Sequence, residues 1–173
     1  MLWFSKNASM SLNNIQLSPQ QLADWYSQVL IETTATAVPE PEAPEYYALG
    51  GNAKKVLIVV SEEKEPFLPD SELTFLTSIL TACKLNLADI ALVNFEKMEQ
   101  KDYKALVQYF NSRVVLLFNV SPLQFGLPIN FPHFQIQEFN KCTYLFAPEL
   151  RLVESDKQLK KELWTSLKNI FGL

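Results

Sequence analysis

Glycine is scarce in this chain, with four among 173 residues. A phosphate-cradling loop needs glycines so that its backbone can approach the ligand closely. Gly50-Gly51 precedes the first strand-like run instead of following it, and Gly126 stands alone. The G-x-S-x-G pattern of a nucleophile elbow is absent. Histidine is scarcer still. His133, in "FPHFQIQ", has no cysteine or acid at ligand or triad spacing, so it reads as a packing or hydrogen-bonded residue. The two cysteines, Cys83 and Cys142, form no metal or redox spacing. They read as buried free thiols of a reducing compartment. A basic excess is also lacking. Fifteen Lys and Arg against nineteen Asp and Glu give a formal charge of −4, which argues against an unaided grip on a nucleic-acid backbone. Apolar runs such as "VVLLF" are strand-sized, so no membrane-spanning helix is predicted. The start, "MLWFSKNASM", lacks the apolar stretch of a secretion signal. These absences predict a cytoplasmic protein with no cofactor, no metal and no membrane association.

Apolar material is plentiful. The chain is 48% hydrophobic, with twelve Phe, six Tyr and three Trp, enough for one well-filled core. Three parts are predicted: a peptide and helix over 1–36, a Pro/Glu-rich linker over 37–53, and an α/β domain over 54–173. In "LSPQQLADWYSQVLIET" Ser18 is a good helix cap and Pro19 suits the first helical position. Leu22, Trp25, Tyr26, Val29 and Leu30 then recur at helical spacing. That stripe packs on the protein's own core or docks on a partner. "AVPEPEAPEYY" alternates proline with acid, which favours an extended, solvated segment.

"KKVLIVV", "DIALVNF", "RVVLLFNV" and "CTYLFAP" are short continuous apolar runs. Such runs fit strands buried on both faces, as in a parallel sheet. Between them lie helical patterns. "DSELTFLTSILTACKL" puts Leu73, Leu76, Ile79, Leu80 and Cys83 on one face, with Asp70 or Ser71 as cap. "EQKDYKALVQYFNS" turns Tyr103, Leu106, Val107 and Phe110 inward. The last helix starts from about Ser155 and buries Leu159, Leu163, Trp164, Leu167, Ile170 and Phe171. The predicted class is α/β: a three-layer α/β/α arrangement around a mostly parallel, roughly four-stranded sheet, plus the N-terminal helix.

In such a sheet, ligands bind at the carboxyl ends of the strands. The candidate loops are therefore 61–70, 94–99, 119–130 and 147–154. Glu62, Glu63 and Glu65 offer carboxylates for acid–base work, but adjacent acids on a loop read first as solvated. Asn94 and Asn119 close two strands and either bond a ligand or cap local turns, with turns favoured. "NVSPLQFGLPINFPHF" is an apolar loop: a partner site if exposed, a lid if buried.

The order of these segments resembles the uracil-DNA-glycosylase-like fold. In that family a late strand ends in His-Pro-Ser. Here the matching run is Leu145-Phe146-Ala147-Pro148-Glu149-Leu150, with the proline kept and Ala147 where the family has its histidine. The first loop, Ser61 to Phe67, lacks the family's glycine, its aspartate-proline pair and the following tyrosine. The resemblance therefore implies the fold without the activity. The ligand loops become vestigial, marked by Glu62, Glu63, Phe67, Asn94, Asn119, Ala147, Pro148 and Glu149. A non-enzymatic branch, the psi subunits of bacterial DNA polymerase III holoenzymes, is similar in plan: an N-terminal peptide that docks on the clamp loader, then a body without a catalytic site. "APELRLVESDKQLKKELWTSLKNIF" is similar to that group's strand–proline–helix end. The resemblance implies a non-catalytic, protein-binding accessory subunit of the replication machinery. Its candidate anchors here are Leu2, Trp3, Phe4 and Trp25. The alternatives are a divergent glycosylase, stacking a flipped base on Phe67 and reading it with Asn94, or a small-molecule-binding α/β domain.

Overall fold

The computed structural model describes residues 46–173. Four of its strands are the four apolar runs: β1 (Val56–Val60), β2 (Ile90–Asn94), β3 (Val114–Phe118) and β5 (Cys142–Ala147). Every residue of β1 and β2 is buried. A parallel strand covered on both faces needs this, because each successive side chain points to the opposite layer. The sheet order is β2-β1-β3-β5-β4, where β4 is an edge strand over Ile136–Phe139 and the other four strands are mutually parallel.

The sheet has five strands, which corrects the expectation of about four. The added strand, β4 (Ile136–Phe139), pairs antiparallel with β5 at the edge. A two-residue turn, Asn140-Lys141, joins them with both residues at positive φ, 49° and 63°. Two adjacent left-handed residues match the twist of a tight hairpin.

Side chains alternate between two cores. Val56, Ile58 and Val60 face one layer, with helices α1 (Asp70–Ala82), α4 (Leu150–Ser155) and α5 (Lys157–Phe171). Leu57 and Val59 face the other, with α2 (Tyr103–Tyr109) and the single turn α3 (Pro122–Phe125). This is the α/β class expected, with helices on both faces of a mostly parallel sheet.

Some local details differ from expectation. Neither Asp70 nor Ser71 caps α1. Pro69 takes the cap position and no side chain bonds there. Ser155 does not cap the last helix either, because it ends the short helix α4. Asp156 caps α5, accepting from the Gln158 N–H at 2.6 Å and the Leu159 N–H at 3.3 Å. Trp164 was expected in the buried stripe but is 37% exposed, whereas Leu163 and Leu167 are buried. Residues 119–134 are a lid, since Phe125, Leu127 and Phe131 are all buried in the core.

Ahead of β1 the chain lies along the outer side of β2. Leu49 and Leu92 exchange backbone hydrogen bonds at 2.8 Å, and Asn52 donates to the Ile90 carbonyl at 2.9 Å. This covers the exposed edge of β2. Gly50 permits the approach. It sits at φ +115°, and a Cβ there would lie 2.3 Å from the Ile90 carbonyl oxygen. The scarce glycine thus serves backbone packing ahead of the sheet, away from any strand-end loop.

Candidate functional site: the strand-end loops

Chain order reverses between β1 and β3, so the crevice between their carboxyl ends is the switch point where open α/β sheets bind ligands. A hollow of about 460 Å³ lies there. It is lined by Ser61, Glu62, Glu63, Lys64 and Glu65 after β1, Asn119 after β3, and Glu149 and Arg151 after β5. The topology thus brings Glu62, Glu63, Asn119 and Glu149 to one place. Asn119 sits at φ +58° and its N–H donates to the Ala147 carbonyl at 3.1 Å. Asn tolerates this left-handed conformation better than most side chains.

Asn94 is 3% exposed and faces a different task. Its Oδ1 accepts from the backbone N–H groups of Glu62 and Glu96, each at 3.1 Å. Its Nδ2 donates to the carbonyls of Glu62 at 2.7 Å, Glu65 at 3.2 Å and Pro66 at 3.3 Å. An amide has two donor hydrogens and one acceptor oxygen with two lone pairs. All of that capacity is engaged by backbone, so Asn94 staples the loop after β1 to the end of β2.

The loop has further supports. Ser61 Oγ donates to Glu96 Oε1 at 3.0 Å, and Lys101 Nζ donates to Glu96 Oε2 at 3.2 Å. These bonds, Lys101 first and Ser61 second, hold the Glu96 carboxyl below its ordinary value. Lys97 Nζ donates to the Glu63 carbonyl at 2.5 Å. Phe67 stacks on Tyr47 with ring centroids 5.2 Å apart and planes 20° apart. A second hollow, of about 270 Å³, is lined by Tyr46, Tyr47, Pro66, Asn94 and Lys97 among others.

Ala147 is 1% exposed at the end of β5, and Pro148 is half-buried beside it. Its methyl group belongs to the core shared with α1, α4 and α5. His133 is exposed and packs on the Phe146 ring at 4.3 Å. Cys83 and Cys142 are buried and free. Burial pushes the Cys83 thiol up to about 11.

Sequence reading missed Glu72. It lies in the first turn of α1, is 5% exposed, and has Arg151 Nε 4.0 Å from its carboxylate. Arg151 also pairs with Glu149. Burial raises the Glu72 carboxyl above its ordinary value. Arg151 opposes that rise, and Glu149, Glu62 and Glu154 add to it. An acid in a helical first turn gives no sequence signal of burial, because such positions are usually solvated and favoured by the helix dipole.

The anchor candidates Leu2, Trp3, Phe4 and Trp25 lie outside the described residues. Among the described residues no helix is long and apolar enough to cross a membrane. No protein-family model matches the chain, and no curated protein matches it closely enough to indicate a relative.

Proposed function

We propose that this protein is a non-catalytic accessory subunit of the psi type, whose work is to hold replication proteins together. The observation that carries this reading is the saturation of Asn94. The strand-end amide to which a glycosylase reading assigns the base has its hydrogen-bonding capacity engaged by the loop's own backbone. Reading a base would require breaking that staple, and a buried group left without partners costs about 1–3 kcal/mol. The apolar side chain of Ala147 supports the same reading, because it supplies no hydrogen bond to a leaving group. Phe67 is covered on one face by Tyr47, which weakens the case for base stacking.

The uracil-DNA-glycosylase-like resemblance supplies the finer fold assignment, and the element order supports it. The partner is then the clamp loader, reached through Leu2, Trp3 and Phe4, because large apolar and aromatic anchors carry much of an interface's energy. The test is direct binding of the purified clamp-loader complex to the immobilised full chain. Wild type binds, and the triple substitution Leu2→Ala, Trp3→Ala, Phe4→Ala weakens binding by tenfold or more, an order of magnitude typical for anchors. Equal binding by both chains, or by neither, refutes the assignment. A small-molecule reading keeps one observation in its favour, the hollow at the β1–β3 switch point. It predicts that Glu62→Ala, Asn119→Ala and Glu149→Ala abolish ligand protection.

A further inference from the structure

We propose that the groove between α1 and α5 is a docking site for an acidic amphipathic helix of a partner protein. This proposal does not rest on the candidate N-terminal anchors.

The helix α1 carries two apolar stripes. Leu76, Leu80 and Cys83 are buried against the sheet. Phe75, Ile79 and Ala82 instead line an open groove of about 220 Å³. Leu163, Trp164 and Leu167 of α5 form its opposite wall, and Val153 of α4 contributes to its lining. The short helix α4 packs against both α1 and α5, which leaves this slot between the two longer helices. Positions 75, 78, 79 and 82 follow the i, i+3, i+4, i+7 pattern of a helix face. They span two turns, about 10 Å along the axis. A helix of two to three turns fits that length.

The charge around the slot selects its occupant. At about 100° per residue, Lys157, Lys160 and Lys168 fall within about 40° of Trp164 around α5, whereas Lys161 lies about 120° from Leu167, away from the slot, and Glu162 falls on the far side. Lys160 Nζ lies 5.5 Å from the Phe75 ring centroid, and Lys168 Nζ lies 5.9 Å from that of Trp164. The α1 wall of the slot, Phe75, Ser78, Ile79 and Ala82, carries no charge, and the acids of α1, Asp70 and Glu72, lie in its first turn, outside that lining. A three-lysine bank on a chain of net charge −4 is a local inversion. It complements an occupant with apolar residues at i, i+3 or i+4, and i+7 and Asp or Glu along one flank. The concave slot favours a helix over a flat membrane surface.

The test selects binders to the full chain from a displayed library of helical peptides with randomised outward positions. Enriched peptides are then measured by fluorescence anisotropy. The expected result is enrichment of acidic amphipathic helices whose affinity falls as salt rises. Trp164→Ala weakens them about tenfold or more, as does the joint change of Lys157, Lys160 and Lys168 to Glu, while urea midpoints confirm that both variants fold. Four outcomes overturn the proposal. Enriched peptides lack acids, or bind both variants as well as wild type. The chain self-associates and Trp164→Ala makes it monomeric, so a second copy is the occupant. Peptides bind the full chain only after Leu22→Asp and Val29→Asp, so its own N-terminal stripe is the occupant. Vesicles of equal phosphatidylserine and phosphatidylcholine bind where no peptide does.

Discussion

Replacing Asn94 by Ala removes the staple between the loop after β1 and the end of β2. Two backbone N–H groups lose their acceptor, and the carbonyls of Glu62, Glu65 and Pro66 lose a shared donor. Each hydrogen bond contributes about 1 kcal/mol net. Part of the loop reaches water and recovers some of that, so Asn94→Ala should cost about 2–4 kcal/mol. For a domain of this size that lowers Tm by roughly 10 °C. Asn94→Asp is the sharper probe. It keeps the acceptor but turns a second oxygen toward carbonyls, so its folded-state carboxyl is raised. The folded protein then binds more protons than the unfolded chain, and stability falls as pH rises above the unfolded Asp value of about 3.9. Urea unfolding across pH measures the stability, and hydrogen exchange at residues 62–66 reports the loop. If Asn94→Ala costs under about 1 kcal/mol and leaves loop exchange unchanged, the side chain is free for a ligand and the staple argument fails.

Glu72→Gln should stabilise the protein at neutral pH. Burial raises the Glu72 carboxyl, so wild-type stability is lost as pH climbs from the unfolded Glu value of about 4.3 toward the folded one. The gain from Gln should vanish below that window in chemical denaturation curves. Gly50→Ala should cost about 2–4 kcal/mol, because its Cβ would meet the Ile90 and Leu87 carbonyl oxygens at 2.3 and 2.5 Å. A change under about 0.5 kcal/mol would show that the chain along β2 can shift freely. Native Cys83 should resist a thiol reagent at pH 8, because its thiol is buried and raised to about 11. Labelling that is as fast folded as in urea contradicts that burial.

The parallel strands were legible because burial on both faces leaves no room for polar residues, and "VLIVV" or "VVLLF" shows this without context. The edge strand β4 was not. Its residues are only partly buried and its turn, Asn140-Lys141, carries no glycine to mark it. The helix α4 hid behind Pro148, where a proline read as the end of one element also leads into the next within two residues. Trp164 was misplaced because spacing gives a helix's apolar face but not its width, and α4 keeps part of that face uncovered. The positions of the strand-end loops followed from topology. What they do depended on Asn94 meeting a carbonyl 32 residues away in sequence, a long-range pairing that no local pattern encodes.

The most direct test of the central claim is a quantitative pull-down from a lysate of the native cells with three full-length baits: wild type, the Leu2/Trp3/Phe4→Ala variant, and the crevice variant Glu62/Asn119/Glu149→Ala. The account predicts that wild type and the crevice variant recover clamp-loader subunits equally and that the anchor variant loses them. Loss with the crevice variant and retention with the anchor variant would contradict it, placing the function in the strand-end loops.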